Sequence, residues 1–232
     1  MKSAALVLLI VVGMVFTVLG QEPLTPDKII KALMGSSPPF WKVCFALDSS
    51  GSISDKDWDY SKSASRDILA IIDNTPGPRS IAPTKHRIGL VRFSSTIPTR
   101  VVFSLGTYPL FKNNDIAIGD VLKVGYLTDT YKGLLLCENE LGVNGSRLVW
   151  VTTDGLHTVG GNAVEKAEAM QKKGIIICVV AVGSHAQMKV INRMASLIDI
   201  PGSNTKQRCV LNYKTFEALR SDTLSALHRV LS

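Results

Sequence analysis

Apolar residues fall into short continuous runs separated by amphipathic stretches. The runs are Val43 to Leu47, Arg87 to Phe93, Leu148 to Val151 and Ile175 to Val182. A strand with one wet face alternates apolar and polar residues, whereas a strand covered on both faces reads as a continuous run. These runs therefore predict buried, parallel strands. Val101-Val102-Phe103 follows the second run after only a short polar turn, which predicts an antiparallel hairpin partner. Between the runs the spacing becomes helical. Ser54 and Asp57 resemble a capping box, and Tyr60, Ala64, Ile68 and Ile72 then recur every fourth residue. Further helices are predicted over Thr130 to Leu141, Ala163 to Lys173, Gln187 to Leu197 and Lys214 to Leu231, with Gly174 as a C-terminal stop. A Pro-containing lead-in, 21–40, holds one short helix from Asp27 to Leu33. Strands alternating with helices predict an open, doubly wound α/β sheet with helices on both faces. No internal repeat or second domain interrupts residues 41–232.

The first twenty residues have a different pattern. Lys2 precedes an apolar stretch from Ala4 to Leu19, and Gly20 leads into polar Gln21-Glu22-Pro23. This reads as a signal peptide, 1–20, cut near Gly20. A membrane anchor is the competing reading for a stretch of this length. No second comparable run occurs, and Asp222 to Ser232 is amphipathic, without a lipid-anchor signal. The expected product is secreted and extracellular, with no membrane span in the mature chain. Apolar residues at 46% and charged residues at 19% permit a large core and exclude wholesale disorder. The formal charge of +7 becomes +6 if Lys2 leaves with the leader, and allows an acidic partner. The basic residues are dispersed without interleaved aromatics, so no nucleic-acid partner is expected.

In open α/β sheets, ligands bind beyond the carboxyl ends of the strands. Two such loops cluster oxygen donors: Asp48-Ser49-Ser50-Gly51-Ser52 and Thr152-Thr153-Asp154-Gly155. Asp48, Ser50 and Ser52 offer one carboxylate and two hydroxyls at alternate positions, and Asp154 offers a second carboxylate. Few carboxylates with hydroxyls and water suit Mg²⁺, which retains exchangeable positions. The alternative is a Ser/Asp turn that only caps the helix starting near Asp55.

The chain from about Lys42 to Ser232 resembles a von Willebrand factor type A domain, the fold of integrin inserted domains. The matching segments are Val43 to Ile53, Arg87 to Ser94, Phe103 to Leu105, Leu127 to Thr130, Val151 to Gly155 and Ala181 to Gly183. The resemblance implies a mostly parallel six-stranded sheet in the order 3-2-1-4-5-6, with one antiparallel edge strand. It also implies a metal-ion-dependent adhesion site on Asp48, Ser50, Ser52, Thr128 and Asp154. Thr130 is the rival for the threonine role. The chain departs from the family at Gly125-Tyr126-Leu127, where a glycine pair is usual. The implied cofactor is Mg²⁺, with Mn²⁺ or Ca²⁺ as substitutes. The implied partner is an extracellular protein, such as a matrix protein or collagen, engaged through an acidic side chain. Tyr131, Lys132, His157 and His185 are candidate rim residues. A structural matrix component bound to acidic glycans, with the metal only bracing the fold, is the second reading.

An enzyme is not expected. The Gly-x-Ser-x-Gly elbow is absent, phosphate-loop glycine motifs are absent, and none of His86, His157, His185 and His228 has the spacing of a catalytic base. With the implied strand order, Cys44 and Cys178 lie two strands apart, roughly 9.6 Å, beyond the ~7 Å reach of a disulfide. Cys178–Cys209 and Cys44–Cys137 are then the available pairs, and four buried free thiols are the alternative. Asn144-Gly145-Ser146 is a glycosylation sequon in a predicted loop.

Overall fold

The structure is a computed structural model that describes residues 23–35, 40–155 and 157–232. The leader and its Gly20 cut lie outside the described residues. Strands β1 (Trp41–Asp48), β2 (Arg87–Phe93), β3 (Arg100–Phe103), β4 (Ser146–Thr153) and β5 (Ile175–Val182) are joined by two short strands, β6 (Leu197–Ile198) and β7 (Gln207–Arg208), and by β8 (Val210–Tyr213). The helices are α1 (Pro26–Met34), α2 (Asp55–Asp73), α3 (Phe111–Gly119), α4 (Thr130–Leu141), α5 (Ala163–Lys172), α6 (Met188–Met194) and α7 (Phe216–Leu231). The main sheet runs β3-β2-β1-β4-β5-β8, with β3 antiparallel and the other neighbours parallel. This is the predicted doubly wound α/β fold with its antiparallel edge.

The continuous apolar runs are explained by two cores. Val43, Phe45 and Leu47 of β1, with Leu148 and Trp150 of β4, face α1, α2 and α7. Cys44 and Ala46, with Val149 and Val151, face α4, α5 and α6. Successive side chains point to opposite faces, so both parities of each run must be apolar. Each large side chain so buried contributes roughly 1.5–3 kcal/mol relative to exposure.

Several boundaries differ from the sequence reading. Helix α3 was not expected: only Asn114 and Ile118 of its nine residues are buried and its N-cap, Leu110, makes no side-chain cap, so it carries little periodic signal. Helix α6 stops at Met194, and Leu197 instead pairs with Arg208 in a two-stranded ribbon. After that ribbon the sixth strand of the main sheet runs over Val210–Tyr213. The lead-in contributes α1, whose Ile29, Ile30 and Met34 are buried in the same core. Asp27 of α1 meets Arg229 of α7 through two hydrogen bonds, at 2.7 and 3.2 Å. Among the described residues, no helix is long and apolar enough to cross a membrane.

Both expected disulfides form, Cys44–Cys137 with Cα atoms 5.6 Å apart and Cys178–Cys209 at 4.7 Å. The free-thiol alternative does not hold. Asn144 is exposed in the turn before β4, beside Gly145 at φ +83°.

Candidate metal centre

The strand order reverses between β1 and β4, and their carboxyl ends open a crevice there. Leu47 pairs with Thr152, so Asp48 and Thr153 emerge side by side. Asp48 is fully buried. Its Oδ1 accepts the Ser50 N–H at 2.9 Å, and its Oδ2 accepts the Thr153 hydroxyl at 2.6 Å. The Ser50 and Ser52 hydroxyls are 3.1 Å apart, and Ser52 donates to Asp154 Oδ1 at 3.0 Å. The capping alternative holds only for the next residues: Ser54 receives the Asp57 N–H at 3.1 Å and opens α2. The Asp-x-Ser-x-Ser hydroxyls themselves point at Asp154 and at each other.

Ser52, Thr128 and Asp154 line one cleft of about 420 Å³, which His185 and Gln187 close on one side. Asp48 and Ser50 lie behind it, buried. Thr128 is held by its backbone: its N–H donates to the Thr158 hydroxyl at 2.9 Å and its carbonyl accepts the Thr158 N–H at 2.9 Å. Thr130 instead opens α4 and lines a smaller cavity behind the cleft with His157. The cleft threonine is therefore Thr128. Of the four candidate rim residues, His185 reaches the cleft. His157 buries its Nδ1 in the cavity behind. Tyr131 packs beneath Gly161, where a Cβ would sit 2.8 Å from its ring. Lys132 donates its backbone N–H to Asp129 in the first turn of α4.

The departure from the family pattern has a definite shape. Gly125 and Tyr126 both adopt positive φ, +83° and +73°. Gly125 donates to the Ser49 carbonyl at 2.8 Å, and Gly51 donates to the Tyr126 carbonyl at 2.7 Å. The loop before α4 is thus laced to the Asp-x-Ser-x-Ser loop. A Cβ added at Gly51 would sit 3.2 Å from the Tyr126 carbonyl oxygen, closer than side chains ordinarily approach, so glycine suits this crossing of the two loops. Tyr126 holds a glycine-like backbone with a side chain attached.

The donor set fits a hard dication. Oxygens at about 2.1 Å from an octahedral cation lie about 3.0 Å apart, which is the spacing of the Ser50–Ser52 and Ser52–Asp154 pairs. Burial pushes the Asp48 carboxyl up to about 6, and the charge of Asp154 adds to it. Burial also raises Asp154. Neither carboxylate has an ion-pair partner among the described residues. Asp48, buried, and Asp154, half-buried, are unpaired carboxylates that disfavour their own ionisation, and a cation reverses that preference. Asp48, Ser50, Ser52, Thr128 and Asp154 are the residues that would hold it.

Three supporting residues escaped the sequence reading. Thr153 orients Asp48, and Thr158 orients Thr128. Asp129 accepts the Thr96 hydroxyl at 2.6 Å and the Lys132 N–H at 2.8 Å, fastening the β2 loop to α4. The Thr152-Thr153 pair before Asp154 was the visible signal for the first. Nothing local marked Thr158.

Comparison with solved structures returns the same architecture. Proximal thread matrix protein 1 from the mussel byssus matches with a TM-score of 0.66 at 17% identity, over 81% of this chain and 47% of that one. A second structure of it, described as having a zinc-occupied MIDAS motif, matches at 0.66 and 15% identity, over 81% and 47%. The pilus adhesin SpaC from Lactobacillus rhamnosus GG matches at 0.59 and 11% identity, over 84% of this chain and 31% of that one. The chain spans less than half the length of each. A comparison with curated protein sequences returns no match. The von Willebrand factor type A domain family matches residues 42–224, from the second residue of β1 into α7, and the chain belongs to that family.

Proposed function

We propose that this chain is an extracellular adhesion module that binds an acidic side chain of a partner protein through Mg²⁺, or Mn²⁺ or Ca²⁺ in its place. The observation that carries this reading is the run of Ser50, Ser52 and Asp154 oxygens, neighbours 3.0–3.1 Å apart, that leads from the buried Asp48 into the cleft. When bound, the cation supplies an electrophilic position that accepts a carboxylate oxygen. The rest is done by the chain itself. Thr153 and the Ser50 N–H fix both oxygens of Asp48. Neutral hydroxyls leave a dication much of its charge. Thr158 holds Thr128 at the cleft edge. The fold and the two disulfides fit an extracellular setting, and a matrix-protein neighbour supports it.

The test is metal-dependent stabilisation followed by capture. Millimolar Mg²⁺ should raise the melting temperature of the protein, and Asp48→Ala or Asp154→Ala should abolish that shift. A Mg²⁺ shift that survives both substitutions would refute the site. Partner capture from extracellular material should then be lost with EDTA. The byssus matrix neighbour favours one second reading, a matrix component whose metal only braces the fold. In that case capture survives EDTA and Asp48→Ala while the thermal shift does not survive Asp48→Ala.

A further inference from the structure

Beside the metal cleft lies a second concavity of about 550 Å³, walled by Ile97, Pro98, Tyr126, Leu127 and Val159. Ser95 and Thr96 complete its lining, and no charged side chain of the described residues contributes. Three large apolar side chains stand open to water here: Ile97 is 94% exposed, Tyr126 72% and Leu127 54%. Apolar side chains gathered this way mark an interaction surface more often than a scatter of single ones. The groove is continuous with the cleft. Leu127 belongs to the groove and Thr128 to the cleft; Val159 belongs to the groove and Thr158 to the cleft. Tyr126 keeps its exposed ring at φ +73°, a conformation in which glycine would be free of strain. A residue held in such a conformation at a ligand site points to a role for its side chain.

We propose that this groove is an apolar subsite of the adhesion face. Its occupant is a bulky aliphatic or aromatic side chain of the partner segment whose acidic residue enters the metal cleft. The proposal rests on the adhesion reading above and extends it to the partner's sequence. Complementarity assigns each half: a dication held by Asp48 and Asp154 would accept an anion, and the uncharged apolar walls of the groove accept a hydrocarbon. The two depressions are joined through adjacent residues of the same loops, so one short segment spans both. In an extended segment, residues i and i+2 share a face about 7 Å apart, which places the apolar anchor within two or three residues of the acid.

Selection of short random peptides displayed on phage tests this, with capture on the mature protein in Mg²⁺ and elution by EDTA. Eluted sequences should share Asp or Glu with Phe, Leu, Ile or Trp within two or three residues. Ile97→Ser should bind them at least about ten-fold more weakly while retaining the Mg²⁺ thermal shift. Tyr126→Asn, which tolerates positive φ, should behave alike. EDTA-eluted peptides with an acid but no apolar neighbour would overturn the subsite and leave the metal reading intact, as would unchanged binding by Ile97→Ser. Peptides retained through EDTA would instead count against the metal reading. Self-association abolished by Ile97→Ser would assign the groove to a second copy of this chain and overturn the proposal.

Discussion

Cys44–Cys137 joins the strand that ends in Asp48 to the helix that follows Thr128. It therefore links two of the three segments that bring the metal-site oxygens together, whereas Cys178–Cys209 ties β5 to the ribbon on the far side of the sheet. Removing each pair as a double Cys→Ala variant separates stability from site geometry. The cross-links span 93 and 31 residues. With loop-closure entropy of −2.1 − 1.5R ln n, they restrict the unfolded chain by about 4.7 and about 3.7 kcal/mol at 25 °C. All four sulfurs belong to residues no more than 1% exposed, so the loss of packing is alike and drops out of the comparison. The 44–137 variant should be less stable than the 178–209 variant by about 1 kcal/mol. For a domain of this size the melting temperature should fall by about 9–19 °C without Cys44–Cys137 and about 7–15 °C without Cys178–Cys209.

The assay is urea unfolding of both variants and the parent, with Mg²⁺ affinity measured calorimetrically on each folded protein. The 44–137 variant should bind Mg²⁺ more weakly than the parent, because its β1 and α4 loops are no longer covalently tied. The 178–209 variant should bind as the parent does. Equal destabilisation of the two variants, or the reverse order, would refute the chain-entropy reasoning. A Mg²⁺ affinity lost only in the 178–209 variant would refute the assignment of the first disulfide to the site.

His86 should confer acid sensitivity. Its Nδ1 accepts the Trp41 N–H and its Nε2 donates to the Thr75 carbonyl, both at 2.9 Å, so it is held neutral and burial lowers its proton affinity. The unfolded chain then binds the extra proton, and this stability is present above about pH 6.5 and lost as pH falls below it, by up to about 1.4 kcal/mol per pH unit. Asp48, raised by burial, slopes the opposite way in both proteins, so the difference between the parent and His86→Gln isolates the histidine; identical slopes would refute the assignment. At Tyr126, Tyr126→Val should be about 1–2 kcal/mol less stable than Tyr126→Gly in chemical denaturation, because a β-branched side chain at φ +73° is strained; equal stabilities would show that the loop relaxes.

What the sequence disclosed and what it withheld follow from the range of the interactions. Asp48, Ser50 and Ser52 are two residues apart, so their common direction is a local property and is legible in a single run. The two cores are legible too, because a strand buried on both faces must be apolar at every position, as Val43 to Leu47 are. Thr158 was not legible, since its bonds to Thr128 cross 30 residues and two loops. Helix α3 was hidden for the opposite reason: it buries so little that its sequence is barely constrained to a period. Tyr126 lies between these cases. Its departure from glycine could be seen, yet only the structure shows that the backbone keeps the glycine conformation, fixed by the Gly51 N–H to its carbonyl and by Gly125 to Ser49. The loop's shape is thus set by backbone hydrogen bonds that do not involve the side chain at 126, which leaves a residue other than glycine free to stand there at the cost of a positive φ. That freedom is what permits an exposed aromatic wall beside the metal cleft without disturbing the oxygens within it.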